Sequence, residues 1–226
     1  MKTSLQGKIA LAVSEGIVDT AYLDNATPPV WTIGIGHTKS AGGINPTDYI
    51  GKKLTIEQVF EVFADDLPKY EAIVNRNVKV PLTQNEYDAL VHFVYNIGEP
   101  NFKKSNLLKN LNAGNKELAF QTGFHGWLKP KSLEGRRDKE RDIALNGKYG
   151  GTVAPLYTAD AKGKTIRNGS IDLAKVNLGK AETVVPTPTT TPVAPKPTTG
   201  VNTPSVETVS FWTTLIDLIV KLFTRK

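Results

Sequence analysis

"SEGIVDTAYLDNATPPVWTIGIGHT", residues 14–38, is the stretch in which the helical pattern at the start of the chain stops and an extended one begins. Before it, Leu5, Ile9, Ala12 and Val13 fall on one helical face, Ser4 suits an N-cap and Gly16 suits a stop. That predicts a short helix over residues 4–16. From Ala21 to Thr38 the signals are those of short β segments. Tyr22 and Leu23 lead into the turn pair Asp24-Asn25, Pro28-Pro29 cannot be helical and suit a loop tip, and Val30 to Ile35 return as a strand. One Glu and two Asp therefore share a small irregular hairpin, or three-stranded sheet, with hydroxyls and a Gly-Ile-Gly-His turn.

Downstream the chain is helical. "LTIEQVFEVFADDLPKYEAIVNRNV" (54–78) has a capping box in Thr55 and Gln58 and an apolar face of Val59, Val62, Phe63, Leu67 and Tyr70. Pro68 predicts a bend or a split in it. "LTQNEYDALVHFVYNIG" (82–98) has the same grammar: Thr83 and Glu86 cap it, Tyr87, Leu90, Val91 and Val94 face inward, and Gly98 ends it. Shorter helices follow at 104–112, 115–123 and 132–145. A helix-rich chain with one small sheet near its start is an α+β fold. Residues 1–147 are the expected catalytic-sized domain. In 148–180, Gly150-Gly151 and "AKGKTIRNGS" are turn signals around short β-like runs, and an extra hairpin and an ordered extension both fit. Residues 181–204 form a Pro/Thr-rich spacer that cannot bury a core.

Composition narrows the chemistry. The 226 residues contain no cysteine, which excludes disulfides and thiolate metal sites, and the three histidines, His37, His92 and His125, are not at metal-ligand spacing. No metal or cofactor is expected. The net charge of +6 favours polyanionic surroundings such as an acidic cell wall or membrane. Basic residues are not interleaved with aromatics in a block, so nucleic acid is not an expected partner. The apolar run Ile9–Val13 is too short for a signal peptide, so a target outside the cytoplasm would need another route of release.

The last segment, 205–226, carries two adjoining apolar stripes. Val209, Trp212, Ile216, Ile219 and Phe223 form one, and Phe211, Leu215, Leu218 and Leu222 the other, with Asp217 and Lys221 among them. It is shorter than the roughly 20 clean residues a bilayer span needs. A cationic amphipathic helix lying in a membrane interface is the expectation, with packing on the domain or self-association as alternatives.

Cutting a glycosidic bond takes a proton donor and a second carboxylate on the opposite face of the sugar. Glu15 ends an apolar helix, where burial raises a carboxyl pKa, and Asp24 sits in a polar turn. Thr32, on the returning strand, can present its hydroxyl towards Asp24 and hold a water. Taken alone, the same residues also fit a solvated helix end and ordinary turn chemistry.

The order "EG…D…TIGIGHT" resembles the active-site region of the phage T4-type lysozymes, the family 24 glycoside hydrolases. Glu15 and Asp24 are separated by eight residues, as in that family. "LTQNEYDALVHFVYNIG" resembles the family's central helix, "SNLLKNLNAG" the next helix and its Gly stop, and "WLKPKSLEGRRDKERDIALNG" its closing segment. The likeness covers roughly residues 5–147. One departure is the longer tip between Asp24 and Thr32, seven residues where the family has five.

The resemblance implies a two-lobed muramidase, an endolysin cutting the β-1,4 bond between N-acetylmuramic acid and N-acetylglucosamine. It implies Glu15 as general acid, Asp24 as the carboxylate facing the water and Thr32 as its orienter, with Thr38, Tyr95, Ser105 and Gln121 as substrate contacts. It also implies peptidoglycan as substrate and a monomer stored in the host cytoplasm until a holin opens the membrane; the tail, outside the resemblance, is expected from its own residues to engage an anionic membrane or lipopolysaccharide. The rival reading is an inactive peptidoglycan-binding or scaffold module. Among the remaining residues, His37 is expected to be structural with Asp66 as its partner. Arg136 and Arg137 are expected in a salt bridge or on anionic wall polymer, Trp127 in the core, and Asp19 at the surface.

Overall fold

Ser4 starts α1 (Leu5–Glu15) with its hydroxyl accepting the Gly7 N–H, and Gly16 stops it at φ 80°, its own N–H donating to the Ala12 carbonyl. In the computed structural model, residues 1–178 are described. Among them the chain forms six α-helices and one five-stranded sheet, an α+β fold. The expected spacer and tail lie outside the described residues. Among the described residues, no helix is long and apolar enough to cross a membrane.

The sheet is ordered β3-β2-β1-β4-β5. β1 (Ile17–Leu23), β2 (Trp31–Gly34) and β3 (His37–Thr38) come from the N-terminal stretch and pair antiparallel. The other two strands, β4 (Val153–Ala159) and β5 (Thr165–Asp172), come from the region where hairpin and extension were both open. They form an antiparallel hairpin, and β4 lies parallel to β1, pairing Ile17 with Leu156 and Val18 with Tyr157. Residue 147 therefore marks no break in the fold. Ala154 and Leu173 are fully buried in the same core as Leu11, Phe63 and Phe93.

β1 is the central strand. Asp19 on it is buried, against the surface expectation, because the segment at Lys53 and Leu54 covers it: its carboxylate is paired with Lys53 at 3.0 Å and its carbonyl accepts the Leu54 N–H. The β1–β2 register is irregular between Val18 and Tyr22, so the segment carrying Asp19 is bulged from its partner strand.

The long helices follow their caps. α2 (Ile56–Asn77) and α3 (Gln84–Lys104) both begin with complete capping boxes. Pro68 does not split α2, whose buried Phe60, Phe63, Leu67 and Val74 anchor the helix before and after it. Gly98, at φ 73°, breaks the helical path inside α3 where the sequence predicts its end. α4 (Asn106–Asn112), α5 (Lys116–Thr122) and α6 (Glu134–Asn146) complete the helical lobe, and Trp127 packs half-buried against its core.

Asp88 of α3 ties α1 to this lobe. It accepts from the Ser4 N–H (3.0 Å) and hydroxyl (2.5 Å), from Gln84 (2.9 Å) and from the Tyr149 hydroxyl (2.7 Å). A Cβ on Gly7 would lie 2.6 Å from the Asp88 Cγ. Gly→Ala inside an open helix stabilises by about 1 kcal/mol. Here the carboxylate cannot retreat without losing its donors, so Gly7→Ala is expected to destabilise by about 1–3 kcal/mol. Urea unfolding reads the sign, and a stabilised variant would mean that the Asp88 cluster yields freely.

Candidate active site

Glu15 is the last residue of α1, and Gly16 turns the chain straight into β1. The Glu15 side chain is only 2 % exposed and faces Arg136 of α6, whose Nη2 lies 2.5 Å from its Oε1. The two form a close, buried ion pair. Burial raises the Glu15 pKa, and that effect outweighs the opposing pull of Arg136.

Arg136 is itself shared. Its Nε donates to Glu140 Oε1 at 3.3 Å and its Nη2 to the His92 carbonyl at 3.4 Å. Glu140 also receives Arg137 Nη1 (2.6 Å) and meets His92 Nδ1 (2.8 Å), while Arg137 reaches Asn96 as well. Arg137 and Glu140 are fully buried. Burial pushes the Glu140 carboxyl up, but Arg137, His92 and Arg136 together hold it below its ordinary value. Burial and the neighbouring Arg136 push His92 down to about 4, which keeps it neutral. The two arginines are thus internal ion-pair partners and do not form a wall-binding patch.

At the other end of β1, Asp24 is buried and held by its own loop. Its Oδ1 accepts the N–H groups of Ala26 and Val30, both at 2.8 Å. Thr32 is fully buried on β2, paired in register with Tyr22, and its hydroxyl lies 3.5 Å from Asp24 Oδ2, the outer limit of a hydrogen bond. It makes a shorter bond, 3.1 Å, to the Val30 carbonyl. Tyr22 links the two carboxylates electrostatically. Burial raises its pKa, and Asp24 and Glu15 both add to the rise, so one phenol lies in the field of both acids.

The other sequence candidates divide. Tyr95 is buried, donates to the Ile35 carbonyl, and lies within the field of Glu15. Ser105 is buried and caps α4, accepting the Leu108 N–H and donating to the Phe102 carbonyl. Any part these two play in holding glycan runs through the backbone they fix. Thr38 is half-buried and bonded to Ser40, and Gln121 is exposed on α5, donating to Glu117. His37 holds Asp66 through Nδ1 (3.0 Å) and donates from Nε2 to the Ile44 carbonyl (2.9 Å), so it braces the sheet lobe on α2 as its sequence position predicts. Burial lowers its pKa, but Asp66 and Ile44 reverse the balance and leave it raised.

The Arg136–Glu140 network was not read from the sequence. "RRDKE" does contain its signal, since Arg136 and Arg137 precede Glu140 by four and three residues, a spacing that pairs side chains on one helical face.

A buried, raised carboxyl at a helix end, joined by one strand to a hydrogen-bonded second carboxylate, is the arrangement expected of a lysozyme-type glycoside hydrolase. Residues 12–140 match the family described as Phage lysozyme. The chain belongs to that family. It is 37% identical over 137 residues to an endolysin of Acyrthosiphon pisum secondary endosymbiont phage 1, across 61% of this chain and 86% of that protein. It is 36% identical over 150 residues to the endolysin of Salmonella phage P22, across 65% of this chain and 99% of that protein. A crystal structure of a P22 lysozyme variant superposes with a TM-score of 0.58 at 34% identity, covering 65% of this chain and 99% of that one. The protein is a peptidoglycan-hydrolysing endolysin, a lysozyme acting on the bacterial cell wall.

Proposed function

We propose that Glu15 is the general acid, Asp24 the carboxylate on the water side and Thr32 the group that orients the water. Glu15, sealed from solvent, keeps its proton until the glycosidic oxygen accepts it and the C1–O bond breaks. Asp24 offsets the positive charge that develops on the sugar and takes a proton from the water that adds at C1. The observation that carries this reading is the burial of Glu15, with its carboxyl pKa raised, immediately before the strand that leads to Asp24. The test is mass analysis of peptidoglycan digested by wild type and Glu15→Gln. New reducing muramic acid ends are expected from the wild type and at most a trace from the variant in the same time, and comparable amounts from both would remove Glu15 from the role.

Thr38 and Gln121 are proposed to touch glycan directly, with Tyr95 and Ser105 supporting the residues around them. Residues 205–226 are proposed, from their sequence, to bind an anionic membrane or lipopolysaccharide as an interfacial cationic helix. In this reading the enzyme is a monomer held in the host cytoplasm until a holin opens the inner membrane. Deleting 205–226 is expected to leave hydrolysis of purified peptidoglycan unchanged and to weaken vesicle binding and killing of intact cells. Unchanged binding and killing would dispose of the membrane role.

A further inference from the structure

The hairpin β4–β5 lies beyond the part of the chain that matches the family, which ends at residue 140. It grips β1 at both ends. At the Glu15 end, a Cβ on Gly16 would meet the Tyr157 ring at 3.1 Å and the Pro155 ring at 3.4 Å, so the hairpin packs directly on the residue that follows the acid. At the Asp24 end, the Leu23 N–H donates to the Gly163 carbonyl at 2.9 Å. Gly163 sits at φ 80°, and a Cβ there would lie 2.8 Å from the Leu23 N and 3.0 Å from the Trp31 ring. Leu23 and Trp31 are the cross-strand pair from which the Asp24 loop springs.

Between these ends the β1–β2 ladder is irregular, from Val18 to Tyr22, so β2 alone does not fix the length of β1. The hairpin adds ties there. The Ala159 N–H donates to the Thr20 hydroxyl at 2.6 Å, and the Thr20 and Thr158 hydroxyls lie 3.4 Å apart. The tip that carries Gly163 is rigid for its own reasons. The Asp160 carboxylate accepts the N–H groups of Lys162 and Lys164, both at 2.9 Å, and the Gly163 N–H donates to the Asp160 carbonyl.

We infer that the hairpin 153–172 is a positioning splint that fixes the separation of Glu15 and Asp24 by clamping both ends of β1, with Gly163 as the clamp at the Asp24 end. The inference rests on the proposed roles of those two acids. In a glycosidase that separation sets the room for the attacking water, and small misplacements of reacting groups cost rate steeply. A splint therefore acts on turnover more than on substrate affinity.

Two glycines on the hairpin give a matched test. Gly163 (φ 80°) and Gly169 (φ 96°) both sit at positive φ, where any side chain is strained, but a Cβ at 169 meets nothing within 4 Å. Gly163→Ala is expected to lower kcat on peptidoglycan about tenfold with KM within twofold. Gly169→Ala should keep kcat within twofold, with a Tm loss from the backbone strain alone. Equal kcat losses that track Tm in the two variants, or an unchanged kcat in Gly163→Ala, would overturn the splint. If Gly163→Ala does not fold, Thr20→Ala reads the same link, since it removes the acceptor of the Ala159 N–H and puts no atom in its place. Its kcat is expected to fall about threefold at constant KM, and an unchanged kcat counts against the splint. Asp24→Asn runs beside them. An active Asp24→Asn enzyme rejects the assignment of Asp24, and the splint with it. An inactive one together with a fully active Gly163→Ala enzyme rejects the splint alone.

Discussion

Glu15→Gln is expected to slow peptidoglycan hydrolysis by about a thousandfold, within the range for loss of a general acid, and to leave the protein at least as stable above neutral pH. The rate loss follows because an amide has no proton to give at the leaving oxygen. The stability expectation follows from linkage. The Glu15 pKa is raised in the folded state, with burial as the largest cause and Arg136 opposing it. Proton binding therefore favours the fold, fully so below the unfolded pKa of about 4.3, and this contribution is lost as pH rises through the folded value. Gln is neutral throughout and removes that dependence. Urea unfolding across pH 4 to 9 reads it as a wild-type stability that falls relative to the variant as pH increases. A variant markedly less stable at high pH would mean that the ion pair with Arg136 outweighs the burial of the carboxylate.

Glu140→Gln is the second large effect, and here stability and activity change together. Glu140 is fully buried and is the one acid shared by Arg136 and Arg137, with His92 on the same carboxylate. Removing one partner from a buried charge network leaves the others uncompensated, at a cost of about 3–5 kcal/mol. The Glu140 charge also raises the Glu15 pKa, so its loss lowers it. A general acid must be protonated to act, so the alkaline limb of the rate profile is expected to move to lower pH. Thermal unfolding checks the first effect, and initial rates of wall turbidity loss against pH check the second. A profile that keeps its alkaline limb would mean that Glu15 does not set it.

What could be read along the chain was what neighbouring residues decide among themselves. Ser4 and Gly16 bound α1, Thr55 with Gln58 and Thr83 with Glu86 open the long helices, and Gly98 interrupts α3, because caps are local chemistry. His37 with Asp66 was legible from the same stretch that carries the acids. Pairing over long distances was not. Nothing in "VAPLYTA" says that it will lie parallel to residues 17–18, and nothing near Asp19 says that Lys53 and Leu54, more than thirty residues on, will cover it. Burial was hidden likewise: "RRDKE" is among the most polar runs in the chain, yet it supplies Arg137 and Glu140, both with no exposed surface. Ser105 opens a helical run and caps it, a signal present in "SNLLK" beside the substrate contact proposed for it.

The parallel pairing of β1 with β4 also sets an order of events as the chain is made. Contacts between residues so far apart in sequence close a long loop and form late. Residues 17–23 leave the ribosome early, and their second neighbour strand, 153–159, is not yet synthesised. Until it arrives, one edge of the strand that joins the two acids is bare, and the nascent enzyme is incomplete even though every candidate catalytic side chain already exists. On the splint inference, the last brace of the site arrives with the last part of the described chain to be translated, and a product cut short at residue 147 would carry both acids without it.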